Sequence, residues 1–86
     1  MASDIRLFIA DDHRGFRMAL RRILEKDPQC RIVGKADDGE MALSLMPQCG
    51  ADVAILDIEM PNKDGCDVVR AMHRQRWAIK VVFLKM

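Results

Sequence analysis

The chain has 86 residues, 50% of them hydrophobic, and its 14 lysines and arginines nearly balance its 13 aspartates and glutamates. This length allows one domain, and a net charge of +1 gives no overall attraction to nucleic acid or acidic lipid. No apolar stretch approaches the length of a membrane span, and the first residues lack the pattern of a secretion signal. We therefore expect a cytoplasmic protein that binds neither membranes nor, through this chain, nucleic acid. The 3 cysteines lack C-x-x-C spacing, which argues against a disulfide framework and a zinc site.

The first predicted element is an apolar strand over residues 5–10, which ends on Asp11 and Asp12. An amphipathic helix follows, with apolar residues at the spacing i, i+3, i+4, i+7, i+8. Its predicted buried face consists of Phe16, Ala19, Leu20, Ile23 and Leu24, and its predicted solvent face of Arg17, Arg21, Arg22, Glu25 and Lys26. The pair Asp27-Pro28 is expected to end this helix.

A second strand over residues 31–36 is less apolar and contains Gly34, which places it near a sheet edge. The turn at residues 37–40 leads into a second helix, which is expected to end at Pro47 and Gly50. The predicted apolar face of this helix consists of Met41, Ala42, Leu45 and Met46.

The third strand, over residues 53–57, is an apolar run that reads as a buried parallel strand, yet it ends on the carboxylate of Asp57. Pro61 and the turn-forming residues 62–65 predict a loop after it. A third helix is expected from about residue 66 to residue 75, and a fourth strand over residues 79–84.

Alternation of strands and helices predicts a parallel sheet with helices on both faces. The carboxyl ends of such strands meet at one edge, so Asp11, Asp12 and Asp57 should lie together. An oxygen-only cluster of carboxylates suits Mg²⁺. The alternative is that each acid merely caps the following helix or turn.

The combination of Asp11-Asp12-His13 after one strand, Asp57 followed by Met60-Pro61, and Gly65 before a helix resembles the receiver domain of bacterial two-component response regulators. The resemblance spans residues 1–86, and the subgroup is similar to regulators that carry a C-terminal helix-turn-helix. It implies an α/β, flavodoxin-like (CheY-like) three-layer fold with strand order 2-1-3-4-5.

The resemblance also implies the roles of individual residues. Asp57 matches the phosphoacceptor, phosphorylated by a histidine kinase with Mg²⁺ as cofactor. The implied metal ligands are Asp11, Asp12, Asp57 and the backbone carbonyl of Glu59. Met60, Pro61 and Gly65 would shape the active-site loop. His13 suggests a phosphate carrier or ligand, but a polar residue at the start of the first helix is the favoured interpretation.

Two departures from the family pattern stand out. The 86 residues end after the fourth strand, so the chain is expected to be a truncated receiver without the last helix, strand and helix. Lys85 occupies the position of a switch hydroxyl; it either enters the acidic edge or is solvated, and we favour the latter. The fourth strand would then expose an apolar edge, which predicts a homodimer through that edge, with unfolding or aggregation as the competing outcome.

Three functional classes stay open at this point. The first is a phosphoacceptor that is no enzyme beyond self-phosphorylation and slow autodephosphorylation. The second is a degenerate receiver that acts as a dimerisation or interaction module. The third, an aspartate-nucleophile phosphatase of another family, would ordinarily show an aspartate two residues after Asp57, where this chain has Glu59. A calcium loop is weaker still, because residues 57–65 lack its alternating acids.

Overall fold

The computed structural model describes residues 4–84. Strands and helices alternate along the chain in the order β1 (Ile5–Ala10), α1 (Arg14–Glu25), β2 (Cys30–Ala36), α2 (Gly39–Cys49), β3 (Val53–Asp57), α3 (Gly65–Arg74) and β4 (Lys80–Leu84). The strands form one parallel sheet in the order β2-β1-β3-β4. This agrees with the predicted order of the first four strands and confirms that β2 lies at an edge.

The pairing register of β1 and β3 sets the position of the acidic residues. Ala10 of β1 lies opposite Leu56 of β3. The next residue of each strand is an aspartate, Asp11 or Asp57. Since both strands run in the same direction, both aspartates reach the same edge of the sheet.

Apolar side chains cover both faces of the sheet. One cluster lies between the sheet and α2 and α3, and it includes Phe8, Ala10, Met46, Leu56, Val68 and Met72. A smaller cluster of Leu7, Ile9 and Ile55 faces α1, with Leu20 and Leu24 packed against it. Adjacent residues of β1 therefore point to opposite faces, and both faces are apolar, as expected for a central parallel strand.

The solvent face predicted for α1 is wrong at Arg17, which is buried at 8% exposure. Two residues of the predicted buried face are instead exposed, Ala19 and Ile23, the latter at 64%. The helix is rotated relative to the prediction, because Arg17, Leu20 and Leu24 form the stripe at i, i+3, i+7 that turns toward the sheet. An arginine can occupy that stripe when backbone carbonyls satisfy its guanidinium.

The prediction that Pro47 ends α2 is also wrong. The helix runs through Pro47 to Cys49 and is capped by Gly50 at a φ of 68°. Pro47 has no backbone N–H, so the helix lacks the hydrogen bond to the carbonyl four residues earlier. The loss is tolerated because the helix continues for only two residues after Pro47. Gly50 terminates the helix as predicted, since a left-handed cap favours glycine. Met41, predicted to be apolar and buried, is 41% exposed.

Strand β4 pairs only with β3 among the described residues. Its Val82 and Phe83 are 50% and 43% exposed. Within the same part of the chain no helix has the length and apolarity that crossing a bilayer requires. Lys85 lies outside the described residues.

Candidate functional site

Four side chains meet at the carboxyl ends of β1 and β3. Asp11, Asp12, His13 and Asp57 each offer a ligand atom, and these atoms all lie within 4.8 Å of one another. Asp11 and Asp57 are buried, whereas Asp12 and His13 are exposed. The structure thus brings the three aspartates predicted from the sequence into one cluster and adds the imidazole of His13 to it.

The carboxylate of Asp11 is fully buried and only half satisfied. Its Oδ1 accepts a hydrogen bond of 2.6 Å from the backbone N–H of His13. Among the described residues, no hydrogen-bond donor reaches Oδ2. A buried anionic oxygen without a donor is costly unless a cation compensates it. The donor set of the cluster therefore fits a divalent cation, and a hard ion such as Mg²⁺ is compatible with its carboxylate oxygens.

Asp57 lies at the last position of β3 with an exposure of 6%. Burial raises the pKa of its carboxyl group, the negative charges of Asp11 and Asp12 act in the same direction, and the hydrogen bond from the Glu59 amide opposes them. A raised pKa in the folded state means that ionisation of Asp57 costs stability as the pH rises through that pKa. A raised pKa also makes the ionised carboxylate of Asp57 more basic than an ordinary aspartate, and therefore a better nucleophile.

The backbone of His13 occupies the N-cap position of α1, but its side chain makes no capping hydrogen bond. Instead the ring turns into the acidic cluster. Its Nδ1 lies 3.2 Å from Asp11 Oδ1, 3.1 Å from Asp12 Oδ1 and 3.7 Å from Asp57 Oδ2. The favoured interpretation of His13 as a residue of the helix start is correct for the backbone, whereas the imidazole belongs to the cluster.

The loop after Asp57 is held against the end of β3. The Glu59 amide donates to Asp57 Oδ1 at 3.3 Å, and its own side chain is exposed. Met60 is half-buried and Pro61 exposed. Gly65 begins α3, where its N–H donates to the carbonyl of Ile58 at 2.8 Å. A Cβ at Gly65 would collide with the Asp57 backbone carbonyl.

A contact between two loops was missed from the sequence. The side-chain amide of Asn62 donates to Asp38 Oδ2 at 2.8 Å, and Asp38 Oδ1 accepts from the amide of Met41 at 2.8 Å. Asp38 thus caps α2 and holds the loop after Asp57 at once. Asn62 tolerates the left-handed φ of 68° that this geometry needs. The Asp-Asp-Gly turn in the sequence indicates that Asp38 caps α2, but it does not indicate the hydrogen bond with Asn62.

Arg17 is the second residue whose position sequence analysis missed. Its Nη1 donates to the backbone carbonyl of Asp11 at 2.6 Å and to that of Ala36 at 3.4 Å, and it pairs with the carboxylate of Asp37. These contacts join the ends of β1 and β2 directly behind the acidic cluster. In the sequence, the spacing of Arg17 with Leu20 and Leu24 on one stripe of α1 was the signal that Arg17 faces the sheet.

Comparison with known families gives one match over most of the chain. Residues 7–86 match the model of the response regulator receiver domain. A protein-glutamate methylesterase/protein-glutamine glutaminase of Pyrococcus horikoshii is 32% identical over 84 residues, which cover 98% of this chain and 23% of that protein. The transcriptional regulatory protein DegU of Brevibacillus brevis is 35% identical over 80 residues, covering 93% of this chain and 34% of that protein. The chain therefore spans about a quarter to a third of these relatives.

A solved structure has the same fold. The signal receiver domain of the response regulator NarL from Mycobacterium tuberculosis superposes with a TM-score of 0.90 at 36% sequence identity. The match covers 94% of this chain and 65% of that one. The parallel sheet with helices on both faces is thus the architecture of a known receiver, in agreement with the predicted flavodoxin-like fold.

Proposed function

The chain belongs to the response regulator receiver domain family, and we propose on that basis that it accepts a phosphoryl group from a histidine kinase onto Asp57. The observation that carries the proposal is the position of Asp57 at the end of β3, inside the cluster with Asp11 and Asp12. Burial raises the pKa of Asp57, and the amide of Glu59 in the following loop donates to its carboxylate. Both features suit a carboxylate that reacts as a nucleophile.

Mg²⁺ is the proposed cofactor. Asp12 would bind it directly, Asp11 largely through water, Asp57 through one carboxylate oxygen and Glu59 through its backbone carbonyl. The buried Asp11 Oδ2, which has no donor among the described residues, supports a cation at this place. When bound, the ion would screen the negative charges of the carboxylate and of the incoming phosphoryl group.

Asp57, Glu59 and Gly65 would have separate roles in the transfer of the phosphoryl group. A carboxylate oxygen of Asp57 attacks phosphorus as the bond from phosphorus to the kinase imidazole nitrogen breaks, and that nitrogen leaves with the bonding electron pair. The Glu59 amide orients the carboxylate by donating to Oδ1. Gly65 lets α3 begin against the Asp57 carbonyl, so that the loop fits closely around the nucleophile.

An open cleft of about 600 Å³ lies beside the cluster and offers room for a phosphodonor. Its charged lining is balanced between three basic and three acidic side chains, which are Arg14, Arg17, Lys35, Asp12, Asp37 and Asp38. These charges give the cleft no net attraction for an anion, but Arg14 and Lys35 would be available to contact a phosphoryl group beside Asp12. On the basis of the family match, we propose no enzyme activity for the chain beyond self-phosphorylation and slow autodephosphorylation.

The test is intact-mass measurement after incubation with a small acyl-phosphate donor, with and without Mg²⁺. We expect one phosphoryl adduct that requires the ion and disappears in Asp57→Asn. The matched control is Asp64→Asn in the same loop, because Asn preserves the helix cap that Asp64 provides to α3 and leaves the cluster intact. This control should form the adduct normally.

Absence of the adduct from a cooperatively folded wild-type chain would contradict the proposal. The alternative of a degenerate receiver, which serves as a dimerisation or interaction module, would then be favoured. An adduct that persists in Asp57→Asn would show that another residue is the acceptor.

We also propose that the 86-residue polypeptide forms a homodimer through the edge of β4. The exposed Val82 and Phe83 support the proposal, because the outer edge of β4, which has no partner strand among residues 4–84, can pair with a second copy of itself. Light scattering after size-exclusion chromatography should give twice the monomer mass of 9.8 kDa. Val82→Lys should shift the mass toward the monomer, since a charge on an edge strand disfavours pairing. A wild-type chain that is a stable monomer with a cooperative melt would contradict this proposal.

A further inference from the structure

We infer that His13 supplies a nitrogen ligand to the cation site of Asp11, Asp12 and Asp57, so that the site binds a divalent first-row transition metal ion more tightly than Mg²⁺. The inference deepens the proposed function, because it rests on a cation binding at that same cluster. It concerns which ion the cluster selects and which residue makes the selection.

The geometry around the ring carries the first step. Metal–ligand bonds of about 2.1 Å at right angles place neighbouring ligand atoms about 3 Å apart. His13 Nδ1 lies 3.1 Å from Oδ1 of Asp12, the proposed direct ligand, and 3.2 Å from Oδ1 of Asp11, which would reach the ion largely through water. The distance from His13 Nδ1 to Asp57 Oδ2 is 3.7 Å, which is also compatible with one shared ion. The imidazole therefore already lies where a ligand of the same ion would lie.

The side chain of His13 has no other structural role among the described residues. His13 occupies the N-cap of α1 yet its side chain makes no capping hydrogen bond, and within residues 4–84 the polar contacts of its ring are all with the cluster. The side chain of His13 is 56% exposed, so water can reach the site and complete the coordination of an ion. A half-exposed imidazole beside carboxylates is a typical ligand arrangement for metals.

The second, independent observation is the buried oxygen of Asp11. Asp11 is 0% exposed, and no donor in the described part of the chain reaches its Oδ2. That oxygen belongs to a carboxylate of the same cluster, and it needs a positive partner that the described side chains do not supply through a hydrogen bond. A bound cation would satisfy it, whereas a merely solvated group of acids would not be buried in this way.

The ligand set then determines the type of ion. Three carboxylates alone suit Mg²⁺, Ca²⁺ or Mn²⁺, but an added neutral imidazole favours Fe²⁺, Co²⁺, Ni²⁺ or Zn²⁺. The affinity of a mixed nitrogen and oxygen site rises along the first transition row, whereas Mg²⁺ gains little from a nitrogen ligand. The His13 ring is thus the specificity-determining residue of the site.

A competing explanation is that His13 is protonated and only neutralises the acids. The two explanations differ in the sign of a mutational effect. Removing a nitrogen ligand weakens the binding of transition metals and leaves Mg²⁺ nearly unaffected. Removing a positive charge strengthens the binding of both ions, because repulsion between the imidazolium and the cation disappears.

The experiment measures the affinities of Co²⁺ and Mg²⁺ for the full chain by calorimetric titration, and records the visible absorption of bound Co²⁺. The test variant is His13→Asn, since Asn is a strong N-cap residue and keeps a polar side chain at the start of α1. The matched control is His73→Asn, which replaces the other histidine of the chain at an exposed position in the last turn of α3. Thermal melts of all variants verify that they fold.

We expect His13→Asn to reduce Co²⁺ affinity about tenfold or more and Mg²⁺ affinity by less than about threefold. The Co²⁺ absorption spectrum should change in His13→Asn and stay the same in His73→Asn. The absence of intense sulfur-to-cobalt absorption would show that the three cysteines do not bind the ion.

An unchanged or increased Co²⁺ affinity in a folded His13→Asn would overturn the inference. If that result accompanies Mg²⁺ binding and a normal adduct on Asp57, the proposed function stands and only the role of His13 fails. If the wild-type chain binds neither ion, the inference fails together with the proposed Mg²⁺ dependence. Where His13→Asn does not fold, His13→Ala and His13→Gln provide the same comparison.

Discussion

The Arg17→Met variant is expected to lose about 3 kcal/mol of unfolding free energy. Methionine fills the space of the aliphatic stem but leaves the carbonyls of Asp11 and Ala36 without the guanidinium that now binds them. The ends of β1 and β2 should separate as a result, and the Asp11 backbone should lose its anchor. Urea denaturation measures the stability, and titration with Mg²⁺ measures the accompanying loss of metal affinity.

The control for Arg17→Met is Arg21→Met on the same helix. Arg21 is half-exposed and pairs only with Glu25 one turn further along, so this substitution should cost less than about 0.5 kcal/mol. Equal stability changes in the two variants would show that the buried contacts of Arg17 contribute nothing beyond an ordinary surface charge. A large loss of stability with unaltered metal affinity would show that Arg17 stabilises the fold but does not position the acidic cluster.

The Gly65→Ala variant is expected to lose about 2 kcal/mol of unfolding free energy and to slow phosphorylation about tenfold or more. The added methyl group would meet the Asp57 carbonyl oxygen, with Ile58 Cα and Phe83 Cε1 each 3.1 Å away. Relief of this overlap requires α3 to move away from the end of β3, which would displace Asp57, the proposed nucleophile. Denaturation and the time course of adduct formation by mass spectrometry give the two values.

Gly15→Ala provides a matched control with the opposite expected sign. Gly15 is exposed on α1, and apart from its chain neighbours and the backbone of its own helix, no heavy atom of residues 4–84 lies within 4 Å of a Cβ at this position. Alanine there should stabilise the protein by about 0.5–1 kcal/mol, because it reduces the freedom of the unfolded chain and favours helix. If Gly65→Ala behaves like Gly15→Ala, the close approach of α3 to Asp57 is not required.

Most of the fold could be predicted because strands and turns have strong local signals here. The apolar run that ends at Asp57 gave β3 with its observed bounds, and the first strand likewise matched β1. Gly50 marked the end of α2 through its left-handed cap. Such features depend on a few neighbouring residues, so the sequence contains them directly.

The orientation of α1 could not be predicted from hydrophobicity alone. The apolar residues of this helix fit more than one face, and Arg17 was assigned to solvent because arginine is rarely buried. Its burial depends on the carbonyls of Asp11 and Ala36, which other strands supply. Contacts of this kind arise only once the sheet has formed, as does the hydrogen bond between Asn62 and Asp38.

The site was predictable to the level of its carboxylates. The rule that the carboxyl ends of parallel strands meet at one edge of a sheet predicts from the sequence that Asp11, Asp12 and Asp57 lie together. It could not place the His13 ring, because a residue at a helix start has several rotamers and two competing interpretations. The side-chain contacts of Asp11 and Asp12 decide between them.

The acidic cluster forms only when β1 and β3 pair in the register that places Ala10 opposite Leu56. Asp11 and Asp57 lie far apart in the chain, and a slip of β3 by one residue against β1 would turn the Asp57 side chain to the other face of the sheet. A misaligned chain would then keep much of its apolar burial but lose the proposed cation site. An ion that binds only the native state lowers the free energy of that state alone. A metal ion at this place would therefore favour the native alignment of β1 with β3.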